Sequence, residues 1–330
     1  MKKNILILGA TGLVGQEVIK ILEERNFPVQ ELFLFASEKS EGLRFIFKDR
    51  EIDVLSDYKE LVNKVDLVFG CLDEELTKEI VPDLRNNSVI IDNSPAFRLE
   101  PDVPLVIPEI NPEEIKRHKG IIANPNCSTI QLLVPLFPLH KVARIKRIIV
   151  ATYQSVSGYG KEAIEELNYE IECLAAQEKI VKSPNSVFVH PIANNIIPQI
   201  GRFCESGYTT EETKMLNETR KILDDQSIMV SATCVRIPVF YCHSEAVSVE
   251  FERPIPLEEA KEILKGAPGV KLIEDEDKYP MPVYVAGQDE VFVGRIRKCL
   301  ALENGLTMWI VADNLRKGAA LNAVQIAELL

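Results

Sequence analysis

A strand, a glycine-rich turn and a helix open this sequence, and this arrangement limits the fold more than any other feature. Residues 4–8 form a continuous apolar run, as in a strand that is buried on both faces. Gly9, Gly12 and Gly15 follow, and apolar residues then recur at helical spacing. Glycines let a backbone approach a pyrophosphate closely, and a helix N-terminus offers it free N–H groups. The spacing is G-x-x-G-x-x-G instead of the commoner G-x-G-x-x-G, and in this context it predicts dinucleotide binding.

The alternation of strand and helix continues through the first part of the chain. Further buried strands are predicted at 32–35, 65–70, 88–92 and 121–123. Strands that are separated by helical patterns predict a doubly wound parallel sheet with helices on both faces. The first part is therefore expected to be a Rossmann-type domain.

The second part of the chain shows a different pattern. Longer strands are predicted at 145–152, 229–237, 246–251 and 291–297. Helices are predicted at 161–178, 211–223, 257–265 and 315–330. Apolar and polar residues alternate in several of these strands, which indicates a mixed sheet with one face covered by helices. A length of 330 residues fits about two domains, so we expect an α/β chain with a second, α+β domain.

Charge and cysteine content exclude several classes of protein. The net charge is −12 with no basic block, which argues against nucleic acid or an anionic membrane as a partner. The sequence contains no stretch of eighteen apolar residues, so no membrane span is predicted. The seven cysteines include no C-x-x-C pair, so no zinc ribbon or dithiol motif is predicted. Unpaired cysteines suit a reducing cytosol, and we expect a cytoplasmic protein without a metal.

The segment after the second strand bears on the choice of cofactor. Ser37, Lys39 and Ser40 could bind the 2′-phosphate of NADP, whereas Glu38 would suit the ribose hydroxyl of NAD. The pattern favours NADP(H) and leaves NAD open. The cofactor contacts predicted in this half are Gly9, Thr11, Gly12, Leu13, Val14, Ser37, Lys39 and Ser40.

One cysteine differs from the others in its context. Cys127 lies between the strand at 120–123 and an apolar helix that begins near Ser128. A thiol there faces free N–H groups and the positive end of the helix dipole, and both favour the thiolate. Thiolates attack carbonyl carbons. The spacing alone leaves two readings open, a nucleophile and an inert buried thiol.

The motif around this cysteine resembles a known active site. Asn-Pro-Asn-Cys-Ser-Thr at 124–129 is similar to the motif of aspartate-β-semialdehyde dehydrogenases. Other segments that are similar to this family lie at 91–98, 104–111, 153–158, 236–239, 243–245 and 313–320. Their order and spacing hold from residue 4 to the C-terminus, so the chain is identified as a member of the family.

The resemblance implies a reaction. The family reduces 4-aspartyl phosphate to aspartate 4-semialdehyde and phosphate with NADPH, on the route to lysine and diaminopimelate, methionine, threonine and isoleucine. By this resemblance Cys127 forms a thioester, His243 is the acid and base, and Gln154 positions the substrate. His243 suits the role because imidazole exchanges protons near neutral pH.

The resemblance also implies binding residues. Arg236 matches the residue that grips the substrate carboxylate, and Glu211 and Lys214 match residues for the ammonium and the phosphate. Glu212 next to Glu211 leaves open which acid is meant. The remaining matched positions are Arg98 and Asn93 for the substrate phosphate site, and Ser157, Gly158 and Asn314 for the cofactor.

The family implies a domain division and an oligomer, and rival functions stay open. A cofactor domain is expected at 1–127 plus 314–330, with a catalytic and dimerisation domain at 128–313 that forms a homodimer or a dimer of dimers. One rival is N-acetyl-γ-glutamyl-phosphate reductase, whose cysteine is typically flanked as Gly-Cys-Tyr. Malonyl-CoA reduction is a second. The third is a non-catalytic NADP-binding paralogue, which should have lost Cys127, His243 or Arg236.

Overall fold

The computed structural model describes residues 2–182, 184–275 and 277–330. They divide into two compact units, Met1–Asn126 with Ala319–Leu330, and Cys127–Gly318. The functional domains expected from the sequence have their boundaries at 127/128 and 313/314. That functional division stays a prediction.

The elements follow one another in a βα pattern and then in longer antiparallel stretches. The strands are β1 (Lys3–Leu8), β2 (Val29–Phe35), β3 (Arg44–Phe47), β4 (Arg50–Leu55), β5 (Leu67–Gly70), β6 (Val89–Asp92), β7 (Ile121–Ala123), β8 (Ile145–Gln154), β9 (Met229–Arg236), β10 (His243–Phe251), β11 (Val270–Ile273), β12 (Val291–Lys298) and β13 (Gly305–Ala312). The helices are α1 (Leu13–Glu24), α2 (Glu74–Leu84), α3 (Cys127–Val142), α4 (Lys161–Ala175), α5 (Thr210–Ile222), α6 (Leu257–Lys265), α7 (Pro282–Val285) and α8 (Leu321–Glu328).

The sheet of the first unit is the doubly wound sheet that the sequence predicts. Its order is β3-β4-β2-β1-β5-β6-β7, and every pair is parallel except the β3–β4 hairpin. Ile5 and Ile7 lie in one buried apolar cluster, while Leu6 and Leu8 lie in another. Apolar layers thus cover both faces of β1, which is why its sequence shows no alternation.

The β3–β4 hairpin is a strand pair that the sequence analysis missed. It lies at the edge of the sheet, where the exposed Arg44 pairs with Glu51 and Asp53. Charged side chains are common on edge strands, where they discourage pairing with other chains. Its apolar residues form only short runs between charged residues, such as 45–47, so the pattern is weaker than that of the buried strands.

The second unit contains a sheet of order β11-β12-β13-β10-β8-β9. The sequence analysis predicted a mixed sheet here but not its strand order. Helices α3, α5 and α6 pack against its strands. In β8 the side chains of Ile148, Val150, Thr152 and Gln154 are buried, whereas Ile149 is exposed. We call the side of the sheet with these buried residues the covered face. The central strand β13 and the short strand β11 were not predicted.

The final helix differs from its prediction at 315–330. A π-helix spans Arg316–Ala320, and α8 begins only at Leu321. Within the second unit, a Cβ atom on Gly318 would lie 3.0 Å from Cβ of Cys127. Single π-turns are frequent at functional sites, and here the irregular turn brings a glycine against the candidate nucleophile.

The described residues offer neither a membrane-spanning helix nor a cluster of metal ligands. None of the helices is both long and apolar enough to span a bilayer. Among the same residues, no group of three or more His, Cys, Asp and Glu side chains is placed to hold a metal ion.

Helix α5 carries two of the predicted substrate residues, and its start depends on a capping box. Thr209 Oγ1 accepts a hydrogen bond from the N–H of Glu212 at 3.4 Å, and Glu212 Oε2 accepts one from the N–H of Thr209 at 2.7 Å. Such boxes satisfy N–H groups that the first helical turn leaves without partners.

We therefore expect Thr209→Ala to lower the free energy of unfolding by about 1 kcal/mol, because the cap loses its acceptor. Thr209→Ser keeps a hydroxyl and should retain most of the stability. Urea unfolding followed by circular dichroism measures both. An equal loss in the two variants would show that the hydroxyl is not the source of the effect.

Candidate active site

The glycine turn of the first unit leaves the start of α1 open. Gly9 has a φ of +78°, and a Cβ atom on it would lie 2.4 Å from the carbonyl oxygen of Cys71. A Cβ on Gly15 would lie 2.3 Å from the carbonyl oxygen of Gly9. Gly12 precedes α1 and brings no side chain to cap its N–H groups. Open N–H groups at a helix N-terminus suit a pyrophosphate, so these residues fit a dinucleotide.

The segment after β2 lies beside this turn. Ser40 Oγ is 3.4 Å from Thr11 Oγ1, and a short 3-10 helix spans Glu38–Ser40. Ser37, Glu38 and Lys39 are exposed. Hydroxyl, ammonium and carboxylate groups are thus all available at this position, and Leu13 and Val14 begin α1 alongside.

Arg98 and Asn93 stabilise the loop that leads along the chain to Cys127. Arg98 Nε donates to the carbonyl oxygen of Asn124 at 2.9 Å, and its Nη2 donates to that of Asn93 at 2.7 Å. Asn93 Oδ1 accepts a hydrogen bond from Asn124 Nδ2 at 2.8 Å. These bonds fix the two predicted phosphate-site residues within the first unit.

Cys127 is the first residue of α3, as the sequence analysis expected to within one residue. Its side chain is half-buried, and most of α3 is buried behind it. A thiol at this position is next to the N–H groups of the first helical turn. The helix therefore provides the polar environment that favours a thiolate.

His243 is fully buried at the start of β10, and its hydrogen bonds define its tautomer. The backbone N–H of Ser155 donates to His243 Nδ1 at 3.1 Å. Because an N–H group can only donate, Nδ1 carries no proton and the neutral ring holds its proton on Nε2. Nε2 has no hydrogen-bond partner among the described residues. A Cβ atom on Gly158 would lie 3.2 Å from it, so a glycine there keeps the space beside Nε2–H free of a side chain.

The environment of His243 also favours the neutral ring. Burial lowers the pKa of His243 to about 3, and the positive charge of Arg236 acts in the same direction. Glu211 opposes this shift to a smaller extent. At neutral pH the side chain is therefore an uncharged hydrogen-bond donor.

Arg236 ends β9 and is 2% exposed. Its Nη1 donates to the carbonyl oxygen of Ser155 at 2.5 Å, and the guanidinium lies 5.3 Å from the ring centre of Tyr159. Burial lowers the pKa of Arg236, while the nearby Glu211 and Cys127 raise it. Nε has no hydrogen-bond partner among the described residues and can donate to a ligand.

The structure distinguishes the two neighbouring acids of α5. Glu211 Oε1 accepts a hydrogen bond from Gln154 Nε2 at 3.3 Å, and its Oε2 lies 3.3 Å from Lys214 Nζ. Glu212 instead closes the capping box and accepts the backbone N–H of Cys234 at 2.9 Å. Glu211 is therefore the acid that faces the other candidate residues.

Asn314 connects the backbone around His243. Its Oδ1 accepts hydrogen bonds from Ser155 Oγ at 3.1 Å and from the backbone N–H of Cys242 at 3.0 Å. Its Nδ2 donates to Ser157 Oγ at 3.0 Å. Cys242 has a φ of +71°, a conformation that favours glycine, so these bonds hold a strained residue next to the histidine. The cofactor contact of Asn314 stays a prediction.

Sequence reasoning missed the roles of Ser155 and Gly318. Both lie inside segments that are similar to the family, 153–158 and 313–320, yet neither residue type suggests chemistry by itself. The backbone N–H of Ser155 determines the tautomer of His243, and any residue except proline could supply it. The only sequence signal for Ser155 and Gly318 was that they lie near Gln154 and Asn314 in these segments.

The second unit thus brings His243, Arg236, Gln154, Glu211 and Lys214 onto the covered face and the helices beside it. A cation and a carboxylate lie near a neutral imidazole, and Cys127 lies close enough for its charge to act on Arg236. Such a set can bind a molecule that carries both charges and can attack its carbonyl group.

Known proteins match both units. The family model described as "Semialdehyde dehydrogenase, NAD binding domain" matches residues 4–118, and "Semialdehyde dehydrogenase, dimerisation domain" matches residues 136–317. Aspartate-semialdehyde dehydrogenase from Aquifex aeolicus is 54% identical over 336 aligned positions, which cover 100% of this chain and 98% of that protein.

Solved structures agree with these matches. Aspartate semialdehyde dehydrogenase II from Vibrio cholerae, complexed with ASA, has a TM-score of 0.97 and 45% identity, covering 100% of this chain and 98% of that one. The Candida albicans enzyme with NADP has a TM-score of 0.75 and 27% identity, covering 100% and 98%. Sequence and structure together show that this chain belongs to the aspartate-semialdehyde dehydrogenase family.

Proposed function

We propose that this chain reduces 4-aspartyl phosphate to aspartate 4-semialdehyde and phosphate with NADPH, through a thioester on Cys127. The observation that supports this substrate best is the juxtaposition of Arg236 and Glu211, both buried, on the covered face. A substrate with a free carboxylate and a free ammonium matches both charges. An N-acetylated substrate has no ammonium and would make no use of the negative charge of Glu211. The Vibrio cholerae relative complexed with ASA supports the same substrate class.

The chemistry follows from the placed groups. The Cys127 thiolate attacks the acyl phosphate carbonyl carbon, the C–O bond to phosphate breaks, and an S-acyl bond forms. NADPH, when bound, supplies the hydride for the reduction. The tetrahedral alkoxide that the reduction of the thioester gives then releases the aldehyde as the C–S bond breaks, and Cys127 regains its thiolate. Gln154 and Arg236 hold the substrate throughout.

His243 would act as a donor at the carbonyl oxygen. Because Nδ1 already accepts the Ser155 N–H, only Nε2–H is available to the substrate. A hydrogen bond from a neutral imidazole stabilises negative charge that develops on an oxygen in the transition state. This role does not require the ring to become cationic in the buried site.

NADP(H) is the cofactor that the first unit supports best. The turn at Gly9, Thr11 and Gly12 fits a pyrophosphate, and Ser37, Lys39 and Ser40 offer groups for a 2′-phosphate. The Candida albicans relative was solved with NADP. Ser157 and Gly158 would face the nicotinamide.

The assembly and location follow from the family. The dimerisation-domain match supports an oligomer, and we propose a homodimer. The exposed Ile149 and Met229 give the second unit apolar surface that a partner could bury. None of the seven cysteines, all of which are among the described residues, forms a disulfide, which suits a biosynthetic enzyme of the reducing cytoplasm.

The reaction can be tested in the phosphorylating direction. Aspartate semialdehyde, phosphate and NADP⁺ should give a phosphate-dependent rise in NADPH absorbance, and Cys127→Ala should lower the rate by about 10⁴-fold or more because the nucleophile is lost. No rise with NADP⁺ or NAD⁺ would refute the proposal. The next substrates would then be N-acetylglutamate semialdehyde and malonyl-CoA.

Substitutions at the neighbouring residues Glu211 and Glu212 can be compared to test the substrate site. Glu211→Gln should lower kcat/KM for aspartate semialdehyde by about 10- to 100-fold, because it removes a charged partner of the ammonium. Glu212→Gln should change kcat/KM little and should lower the unfolding midpoint instead, because its carboxylate supports the cap of α5. Steady-state kinetics and urea unfolding separate the two outcomes. The reverse pattern would assign the ammonium to Glu212.

The neutral state of His243 predicts a pH dependence of stability. The folded pKa of about 3 lies below the ordinary 6.5, so the unfolded chain binds one more proton between these values. This contribution to stability is complete above pH 6.5 and is lost as the pH falls toward 3, with a slope of up to about 1.4 kcal/mol per pH unit.

We therefore expect His243→Asn to flatten the pH dependence of unfolding on the acidic side. Urea unfolding of both proteins at a series of pH values from about 7 to 5 measures the difference in slope. Parallel curves for the two proteins would mean that His243 is protonated normally in the folded chain.

A further inference from the structure

A second row of polar side chains lies on the covered face, one pleat below the candidate active site. Thr152 pairs in register with Cys234 on one side and with Glu245 on the other, and all three are fully buried. The row is offset by two residues along each strand from Arg236, Gln154 and His243. The reaction proposed above assigns no task to these groups.

Glu245 and Gln131 connect the two elements that carry the reacting groups. Glu245 follows His243 by two positions on β10, so both side chains are on the same face of the sheet. Gln131 follows Cys127 by four positions on α3, so both are on the same side of the helix. Both Glu245 and Gln131 are 0% exposed.

The two side chains are buried neighbours with complementary hydrogen-bonding groups. Burial raises the pKa of the Glu245 carboxyl well above its usual value, and a hydrogen bond with the Gln131 side chain offsets part of the rise. None of their four polar atoms has a well-formed hydrogen bond among the described residues. Hydrogen bonds of free enzymes often tighten only when substrate is bound.

A neutral carboxyl and an amide match one another. The carboxyl group offers one O–H donor and one C=O acceptor, and the amide offers an N–H donor and a C=O acceptor. Together they can form two reciprocal bonds. A carboxylate could supply only acceptors and would leave Gln131 Oε1 without a donor.

Apolar residues of similar size would fill this space without the free-energy cost of burying polar groups. Apolar contacts between a helix and a strand allow small sliding movements, whereas a reciprocal pair of hydrogen bonds is satisfied in one alignment only. Formation of these two bonds would therefore constrain how α3 lies along β10.

We propose that Glu245 and Gln131 are positioning residues that fix Cys127 relative to His243 for attack on the substrate carbonyl. This role rests on the proposed function, in which thiolate and imidazole act on one carbonyl group. Reacting groups need such support because a displacement of about 1 Å can cost about 100-fold in rate.

Single substitutions of Glu245 and Gln131, and a double variant in which the two residue types trade positions, test this role. Glu245→Met and Gln131→Met should each lower kcat by about 100-fold with KM for aspartate semialdehyde within about twofold of wild type. Glu245→Gln keeps a hydrogen-bonding side chain and should restore most of kcat. The double exchange of Gln131→Glu with Glu245→Gln rebuilds the pair in reverse and should do the same.

A control separates positioning from general stability. Val247 is the next buried residue on the same face of β10, and Val247→Ala should lower the unfolding midpoint with little change in kcat. If Glu245→Met and Gln131→Met leave kcat unchanged, or if the exchanged pair is as slow as Glu245→Met, the role is refuted. A kcat that follows the unfolding midpoint in all variants, Val247→Ala included, also refutes it.

A second readout keeps this test separate from that of the proposed function. The rate of Cys127 alkylation by iodoacetamide, followed by mass spectrometry of the whole chain, needs no substrate or cofactor. It should change in Glu245→Met and return to the wild-type rate in the exchanged pair, while Val247→Ala leaves it unaltered. A wild-type chain without dehydrogenase activity would refute the proposed function, whereas equal alkylation rates in all variants would refute the positioning role.

Discussion

The hydrogen bond from the Ser155 N–H to His243 Nδ1 determines what the rest of the second unit can do. It places the imidazole proton on Nε2, and burial with the nearby Arg236 keeps the ring neutral. The Asn314 amide supports this arrangement by binding both Ser155 and the strained Cys242. A buried cation at position 236 and a buried neutral imidazole at 243 are thus compatible, because only one of the two carries charge.

The parts of the fold with strong local patterns were predictable from the sequence. The apolar run of β1 and the glycine turn before α1 indicate a doubly wound sheet, because burial on both faces removes all alternation. The charged hairpin β3–β4 gave no such signal. The prediction of one helix at 315–330 was wrong in detail, since a π-helix spans Arg316–Ala320 and brings Gly318 close to Cys127, a residue far away in sequence.

The candidate site was predictable where residue type carries chemistry. Cys127, His243 and Arg236 stand out because thiol, imidazole and guanidinium groups have few structural substitutes. The sequence left the choice between Glu211 and Glu212 open, because two adjacent glutamates on a helix differ only in the direction in which their side chains point. The structure shows that Glu212 supports the cap of α5. The pair of Glu245 and Gln131 could not be found from spacing either, since it joins two elements that are distant in sequence.

Burial of thiols affects how readily the cysteines of this protein are oxidised. Burial raises the pKa of Cys71, Cys234 and Cys242, so these sulfur atoms remain protonated at neutral pH. Peroxides oxidise thiolates much faster than thiols. A sulfur that stays protonated is therefore oxidised more slowly than a thiolate would be at the start of α3, the position of Cys127. Because thiols reduce a sulfenic acid, oxidation of Cys127 to this level would block the proposed nucleophile only reversibly.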